Sequence, residues 1–188
     1  MSIKTITATE TDRLKLRQFS LDDAASLHEI LGQENVLRYF PNPNPPAFDK
    51  VEKFISAQLK HWEEHGFGWW ALELREAHKG LVDSDGNLTL IGWNGLQYLP
   101  DTDEVEVGYL LARPYWGFGL AAEGARPALK IAFEQLDLAE VVGIVHPQNA
   151  ASMRVLEKIG MSFTRQEEYF GMPARRYAIR REDYVVGG

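Results

Sequence analysis

Two glycines, Gly117 and Gly119, stand one residue apart in the stretch RPYWGFGLAAEGA at residues 113–125, and Ala122 follows three residues after the second. Small residues at this G-x-G-x-x-A spacing let a backbone approach a phosphate group closely. The free N–H groups at the start of a helix bind phosphate oxygens, and the alanine-rich run after Gly119 predicts such a helix. The stretch therefore indicates a site for a phosphorylated ligand; the alternative without a ligand is a tight turn.

Other nucleotide and metal motifs fit the sequence less well. A dinucleotide-binding loop needs an acidic residue after the next strand to hold a ribose, and here the strand EVVGIV is followed by His146, Pro147 and Gln148. A Walker-type loop is excluded because no G-K-[ST] follows. The segment DSDG at residues 83–86 lacks the distal ligands of a calcium loop and is predicted to be a turn.

A definite order of strands and helices must position the glycine loop. Apolar–polar alternation and helical spacing predict a strand, two helices, three strands, a helix, a strand, a helix and two strands. The helix predicted from about residue 119 to 135 lies between the strands EVEVGYLLA and EVVGIV, which requires a crossover between parallel strands. Adjacent strands in the first half indicate antiparallel hairpins. The sequence thus predicts a mixed α/β sheet.

Local signals mark where several of these elements begin and end. Ser20 is predicted to cap the first helix, with acidic residues in its first turn. Apolar residues recur at helical spacing from Phe48 to about His65. Gly160 is predicted to close the last short helix as its C-cap.

Charge and composition exclude several classes of function. The chain has no cysteine and a formal net charge of −7 over 188 residues, which excludes disulfides, thiolate metal sites and a cysteine nucleophile. Nucleic-acid binders usually present a basic face, and the modest run RRYAIRR alternates as a half-solvated strand does. With neither a signal-peptide core nor a bilayer-spanning run, we expect a soluble, cytoplasmic protein that binds neither nucleic acid nor a membrane.

The stretch EVEVGYLLARPYWGFGLAAEGARPALKIAF, followed by NAASMRVLEKIGM, resembles the GNAT acetyltransferases. It is most similar to the RimJ/RimL-type subgroup, whose opening and close match TDRLKLRQFSLDDAASL and RRYAIRREDY. The resemblance implies one GNAT domain over residues 1–188, with a short flexible N-terminus and C-terminal tail. It implies a mixed, mostly antiparallel sheet of about seven strands, splayed at the cofactor site and flanked by about four helices. The implied protein is a monomer or a homodimer.

The resemblance also implies the reaction and the residues that hold its donor. Acetyl would pass from acetyl-CoA directly to an amine, either a protein N-terminus or a small molecule, without a metal. Leu110, Leu111 and Ala112 would pair with the pantetheine arm, and Asn149 would contact the cofactor beside the short helix. The loop that would cradle the pyrophosphate through backbone N–H groups consists of Trp116, Gly117, Phe118, Gly119, Leu120 and Ala121.

One position departs from the pattern of the relatives. Many of them have Gln or Arg three residues before the first glycine, where this chain has Pro114, which has no N–H to donate. The other amides of the loop remain available. The neighbouring Arg113 is left without an assigned role.

Glu106 is the candidate general base, because an ammonium group must lose a proton before its nitrogen can attack. Glu104 and Glu106 share one face of the strand EVEVGYLL. Relatives often place an acid just before the Gly–Tyr pair, which favours Glu106. Partial burial would raise the pKa of this carboxyl toward neutrality, or Glu106 would relay the proton through water. The alternative without a catalytic role is a solvated strand face, which is the interpretation for Glu104.

Ser152 is the candidate residue for contact with the leaving thiolate. Many relatives place a Tyr four residues before the closing glycine, where this chain has Leu156, and the RimJ/RimL-type pattern has Ser at the place of Ser152. A serine hydroxyl is a poor acid, so Ser152 would orient the thiol or a water; the alternative is a local hydrogen bond at the helix start. A backbone N–H near Leu111 is the implied oxyanion donor.

Two other functions stay open at this stage. One is a GNAT-fold acyl-CoA sensor without turnover, against which the presence of both Glu106 and Ser152 argues. The other is a dinucleotide-dependent oxidoreductase, which the glycine spacing formally allows and the missing ribose acid disfavours. Aromatic residues such as Trp69 and Trp93 either line an acceptor pocket or belong to the core.

Overall fold

The computed structural model describes residues 8–78, 81 and 89–184, and its strands form one mixed sheet. The strands are β1 (Ala8–Glu10), β2 (Leu14–Arg17), β3 (Trp69–Leu74), β4 (Gly92–Tyr98), β5 (Val105–Leu111), β6 (Glu140–Val145), β7 (Ser162–Tyr169) and β8 (Met172–Arg180). The α-helices are α1 (Ala24–Gly32), α2 (Phe48–His65), α3 (Leu120–Glu134) and α4 (Ala150–Lys158). Across the sheet the strands lie in the order β1-β2-β3-β4-β5-β6-β8-β7.

The sheet opens on one side of β5. Neighbouring strands are antiparallel except β5 and β6, which run parallel as the crossover through α3 requires. β5 pairs with β4 along its whole length, but it pairs with β6 only at Glu106, opposite Val142. Beyond that pair the two strands separate, which confirms the splayed sheet. We call the opening between residues 107–111 of β5 and residues 143–145 of β6 the wedge.

The predicted order of elements is confirmed, with one strand added. β1 pairs antiparallel with β2. Its three residues are exposed or half-buried and carry no apolar alternation, so no sequence pattern predicts this strand. The structure thus has eight strands in its described residues, where about seven were expected. The predicted turn at residues 83–86 and the two expected flexible termini lie outside the described residues.

The predicted helix signals lie where the sequence placed them. Ser20 and Asp23 form a reciprocal capping box ahead of α1: the Ser20 hydroxyl caps the first turn and the Asp23 carboxylate accepts the N–H of Ser20. α2 covers the predicted Phe48–His65. Gly160 takes a left-handed φ of 91°, one residue beyond the C-cap Ile159 rather than at the cap itself. A left-handed residue just after the last turn is the usual helix ending.

Helix α3 packs across β4 and β5 and thereby fixes the position of the glycine loop. Its core-facing side chains include Leu120, Leu129 and Phe133, and full burial of each such side chain stabilises the fold by about 1.5–3 kcal/mol. Gly124 lets the helix approach β4, since a Cβ there would lie 3.2 Å from the amide nitrogen of the buried Asn94. No helix among the described residues is long and apolar enough to cross a membrane.

Candidate active site

The two glycines of the loop are required by backbone conformation rather than by crowding. Gly117 has a φ of 84° and Gly119 a φ of 80°, the left-handed region that side chains with a Cβ rarely adopt. A Cβ on Gly117 would meet no described atom within 4 Å, and one on Gly119 would make only ordinary contacts. Gly119 is the N-cap of α3 and has no side chain to satisfy the first N–H groups of the helix. The loop therefore presents bare amides to an open surface.

Two cationic side chains flank this helix start. A Cβ on Gly119 would lie 3.7 Å from Lys158 Nζ and 3.9 Å from Arg13 Nη2. Arg13 is held by Glu123 in the first turn of α3, with Nε donating to the carboxylate at 2.7 Å. Burial opposes ionisation of Glu123, but hydrogen bonds from Thr11 and Arg13 lower its pKa below the usual value. Free amides and two nearby cations fit a diphosphate, and the sequence analysis had assigned neither Arg13 nor Lys158.

The backbone of β5 alternates between the sheet and the wedge. The carbonyl of Glu104 accepts the N–H of Leu99 and the N–H of Ala112 donates to Ile91, so even-numbered residues bond to β4. Odd-numbered residues then direct their N–H and C=O groups toward the wedge. Of the three predicted pantetheine partners, Leu111 alone has this orientation. Leu110 pairs with Trp93 of β4. The Ala112 N–H donates to Ile91 and its carbonyl accepts the N–H of Tyr115, so the part of Leu110 and Ala112 in binding stays a prediction.

Two exposed aromatic residues border the wedge at the glycine loop. Trp116 and Phe118 are 44% and 41% exposed. The indole N–H of Trp116 donates to the carbonyl of Leu111 at 2.7 Å. The loop and the end of β5 therefore form one connected surface.

Arg113, which had no role in the sequence analysis, fastens the loop to the end of α1. Its backbone N–H donates to the side-chain oxygen of Gln33 at 2.8 Å, and its guanidinium pairs with Glu34. Pro114 lies in the 3-10 turn at Arg113–Tyr115, where its missing N–H leaves no helical bond unmade. The departure from the relatives' pattern therefore leaves the local fold intact.

Glu106 in β5 and Glu104, the residue before this strand, have different environments. Glu104 accepts two hydrogen bonds from the buried Arg176, at 3.0 and 2.5 Å. Glu106 instead lies at the single β5–β6 pair, where its carboxylate accepts the N–H of Ile144 at 3.3 Å. Burial raises the pKa of Glu106 to about 7, and only the Ile144 hydrogen bond opposes this shift. Glu106 is therefore a carboxylate able to exchange a proton near neutral pH.

Asn149, Ser152 and Tyr109 are joined at the first turn of α4. Asn149 caps the helix, its side-chain oxygen accepting the N–H of Ser152 at 3.1 Å, which leaves its amide N–H groups for other partners. The Tyr109 hydroxyl lies 2.9 Å from Ser152 Oγ and donates to the Ser152 carbonyl at 3.0 Å. Burial raises the pKa of Tyr109 above its usual value. Sequence analysis did not single out Tyr109; its position next to Gly108 in β5 was the available signal.

Aromatic rings cover the strand face that carries Glu106. A Cβ on Gly108, two residues along the same face, would lie 3.3 Å from both Trp69 Nε1 and Trp93. These two rings stack at 4.0 Å between centroids, and Phe54 from α2 packs against both. The Trp69 indole N–H is buried with no acceptor among the described residues. Trp93 belongs to the core, whereas the half-buried Trp69 is the better candidate for an acceptor pocket.

Residues 13–162 match the family model described as "Acetyltransferase (GNAT) domain". The chain belongs to the GNAT acetyltransferase family. GNAT acetyltransferases take acetyl from acetyl-CoA, so the protein is an acetyl-CoA-dependent N-acetyltransferase. The described residues contain no group of three or more His, Cys, Asp or Glu that could hold a metal ion. Neither the acyl-CoA sensor nor the oxidoreductase is favoured by this match.

Relatives and solved structures of the GNAT family cover nearly the same span. The N-acetyltransferase YoaA of Bacillus subtilis is 28% identical over 152 residues, 80% of each chain. The crystal structure of an acetyltransferase from Agrobacterium tumefaciens is 26% identical, covers 93% of this chain and 95% of its own, and has a TM-score of 0.77. RimJ of Mycobacterium smegmatis, solved with a CoA disulfide, shares the fold at 18% identity and a TM-score of 0.74, with 96% and 90% of the two chains covered.

Proposed function

We propose that this GNAT acetyltransferase transfers acetyl directly to an amine within a ternary complex, with Glu106 as the general base. The observation that carries the proposal is the position of Glu106, whose carboxylate lies at the last pair before the wedge opens. No cation contributes to its pKa of about 7. A base that titrates near the working pH is the one best suited to accept a proton.

The donor would be held mainly by main-chain groups. The amides of residues 116–121 and the cations Lys158 and Arg13 suit the diphosphate. The wedge-facing backbone of Leu111 suits the pantetheine arm, and the free amide N–H groups of Asn149 suit a contact beside α4. In this arrangement the thioester lies in the wedge between β5 and β6.

Glu106 would act on an acceptor that reaches it from the aromatic face of β5. Most amines are protonated at neutral pH, with a pKa of about 10.4 for a lysine-like group, so a proton must leave before attack. As the C–N bond forms and the C–S bond breaks, the electron pair goes to sulfur, and the proton lost from nitrogen passes through water to Glu106, which lies five residues, about 16 Å, along β5 from Leu111. The N–H of Leu111, which faces the wedge, supports the developing oxyanion.

The acceptor class is a peptide N-terminus or a small amine, and we place the protein in the RimJ/RimL-type subgroup. The subgroup proposal is supported by the fold shared with RimJ and by the opening and closing segments of the sequence. The aromatic pair Trp69 and Trp93 beside Glu106 supports an acceptor with an apolar portion next to its amine.

An acceptor screen tests the proposal. Purified protein is mixed with acetyl-CoA and peptides of varied first residue, then small amines, and released CoA thiol is measured. We expect release with at least one class, and a strong loss in Glu106→Gln but not in the matched Glu104→Gln. Tight CoA binding without release for any acceptor would instead support the sensor.

A further inference from the structure

The Tyr109 hydroxyl links β5 to the first turn of α4 through two contacts with a single residue. It lies 2.9 Å from Ser152 Oγ and 3.0 Å from the Ser152 carbonyl oxygen. A phenol carries one proton and can donate only one strong hydrogen bond, whereas a serine hydroxyl can both donate and accept. The two hydroxyls therefore have two possible arrangements with the same heavy-atom positions.

The arrangements differ in where the Ser152 proton points. When Tyr109 donates to the Ser152 carbonyl, Ser152 Oγ–H donates to the Tyr109 oxygen. When Tyr109 donates to Ser152 Oγ, the serine proton is free for a third partner. The exchange needs only rotation of two hydroxyl groups.

We propose that Tyr109 is a positioning residue that acts through Ser152, turning the serine proton toward the sulfur that leaves during transfer. This inference rests on the proposed function. As the C–S bond breaks and its electron pair moves to sulfur, Tyr109 donates to Ser152 Oγ, and Ser152 Oγ–H donates to the thiolate. No proton leaves either residue, so the pair stabilises charge without becoming charged.

The chemistry of the two groups favours hydrogen bonding over proton transfer. Burial raises the pKa of Tyr109 above its usual value, and the nearby negative charge of Glu106 raises it further. A thiol has a pKa of only about 8.5, so transfer from this phenol to a thiolate would run uphill. A hydrogen bond from Tyr109 to Ser152 also strengthens the bond that Ser152 donates in turn.

Helix α4 contains no tyrosine, so the phenol that contacts its first turn comes from β5. Leu156, where many relatives have a tyrosine, is buried and packs its Cδ2 against Gly143. Tyr177 does bond to α4, donating to Glu157 at 3.3 Å, but at the other end of the helix. Tyr177 therefore supplies a matched control: a buried phenol that anchors α4 away from Ser152.

The test measures the thiol pKa of enzyme-bound CoA by the ultraviolet absorbance of the thiolate. We expect Ser152→Ala to raise this pKa by about one unit, a tenfold change that matches the loss of one hydrogen bond to a charged group. Tyr109→Phe should raise it by a smaller amount, because Ser152 can still donate to the thiolate but loses the hydrogen bond that strengthens its donation. The double variant should show no more than the Ser152→Ala effect, because Tyr109 acts through Ser152. Tyr177→Phe should leave the pKa unchanged.

Several outcomes would overturn the inference. An unchanged thiol pKa in Tyr109→Phe, additive effects in the double variant, or an equal effect of Tyr177→Phe would each do so. If Tyr109→Phe does not fold, 3-fluorotyrosine at position 109 keeps the shape and strengthens the donor, so it should lower the thiol pKa; no change would again contradict the relay. Failure of the wild-type protein to bind CoA would overturn the proposed function itself.

Discussion

The backbone N–H of Ile144 donates a hydrogen bond of 3.3 Å to the carboxylate of Glu106. The two residues belong to strands that pair once and then separate, so this contact lies at the closed end of the wedge. Strand separation frees the Ile144 N–H for this carboxylate, which accepts no other hydrogen bond from the described residues, and desolvation raises its pKa to about 7. The environment of the proposed base is therefore set by the point at which β5 and β6 separate.

The pH dependence of transfer tests Glu106 directly. Glu106→Gln should lower kcat/KM by about 10²–10⁴-fold at neutral pH, the usual contribution of a general base, and by less at high pH, where free amine is plentiful. Wild-type kcat/KM should rise with pH through about 7, as Glu106 loses its proton. A pH-independent loss would assign Glu106 a structural role. Glu104→Gln, two residues before Glu106, should keep the wild-type profile.

Glu106→Gln, which should lower activity, should raise the stability of the folded protein at high pH. The pKa of Glu106 is about 7 in the folded protein, against 4.5 for an unperturbed glutamate side chain. The protonated carboxyl therefore contributes stability that is complete below about pH 4.5 and is lost as pH rises through 7. Glu106→Gln should raise the free energy of unfolding at pH 8 by about 1–3 kcal/mol and have little effect at pH 4. Urea denaturation at both pH values measures this; equal changes at both would contradict the burial of an ionisable group.

Gly119→Val should weaken CoA binding through the backbone. A Cβ there is not crowded, but φ is 80°, and relief of that strain, about 1–2 kcal/mol, would rotate the amides of the loop. Titration calorimetry should show an affinity at least several-fold lower. Gly171→Val is the matched control, since Gly171 has a φ of 74° with open surroundings in the β7–β8 turn; it should carry similar strain and bind CoA normally. Unchanged affinity in Gly119→Val would refute the loop as the phosphate site.

Lys158→Met should weaken binding of CoA but not of pantetheine, which lacks the phosphates. The ammonium group lies beside Gly119, and an ionic contact to phosphate at an exposed site is worth about 1 kcal/mol, or roughly fivefold in affinity. The loss should shrink at high salt. Lys130→Met removes an exposed charge farther along α3 and serves as the control. A parallel loss of pantetheine affinity would show that Lys158 supports the fold rather than the phosphates.

Sequence patterns were sufficient where the deciding interactions are local. Helix limits at Ser20 and Phe48 follow from capping and periodicity, and the bare loop at Gly117 follows from residue type alone. The prediction of Glu106 over Glu104 as the base needed the resemblance; in the structure Arg176 on β8 donates to Glu104, whereas Glu106 accepts the backbone N–H of Ile144.

Long-range pairings account for what the sequence left out. Arg13 and Lys158 reach the same helix start from opposite ends of the chain, and Tyr109 reaches Ser152 across 43 positions. Strand β1 has three residues without apolar alternation and exists because β2 offers it a free edge. None of these relationships leaves a periodic signal in one sequence.

The open left-handed backbone at Gly117 and Gly119 bears on the selectivity of the enzyme among acyl-CoA donors. If the loop binds the diphosphate through its main chain, as proposed, it would hold the nucleotide part of every acyl-CoA alike, whatever the length of the acyl chain. Discrimination between acetyl and longer acyl groups then falls to the space around Tyr109, Ser152 and Leu111. A change of donor preference would arise there and leave the glycine loop untouched.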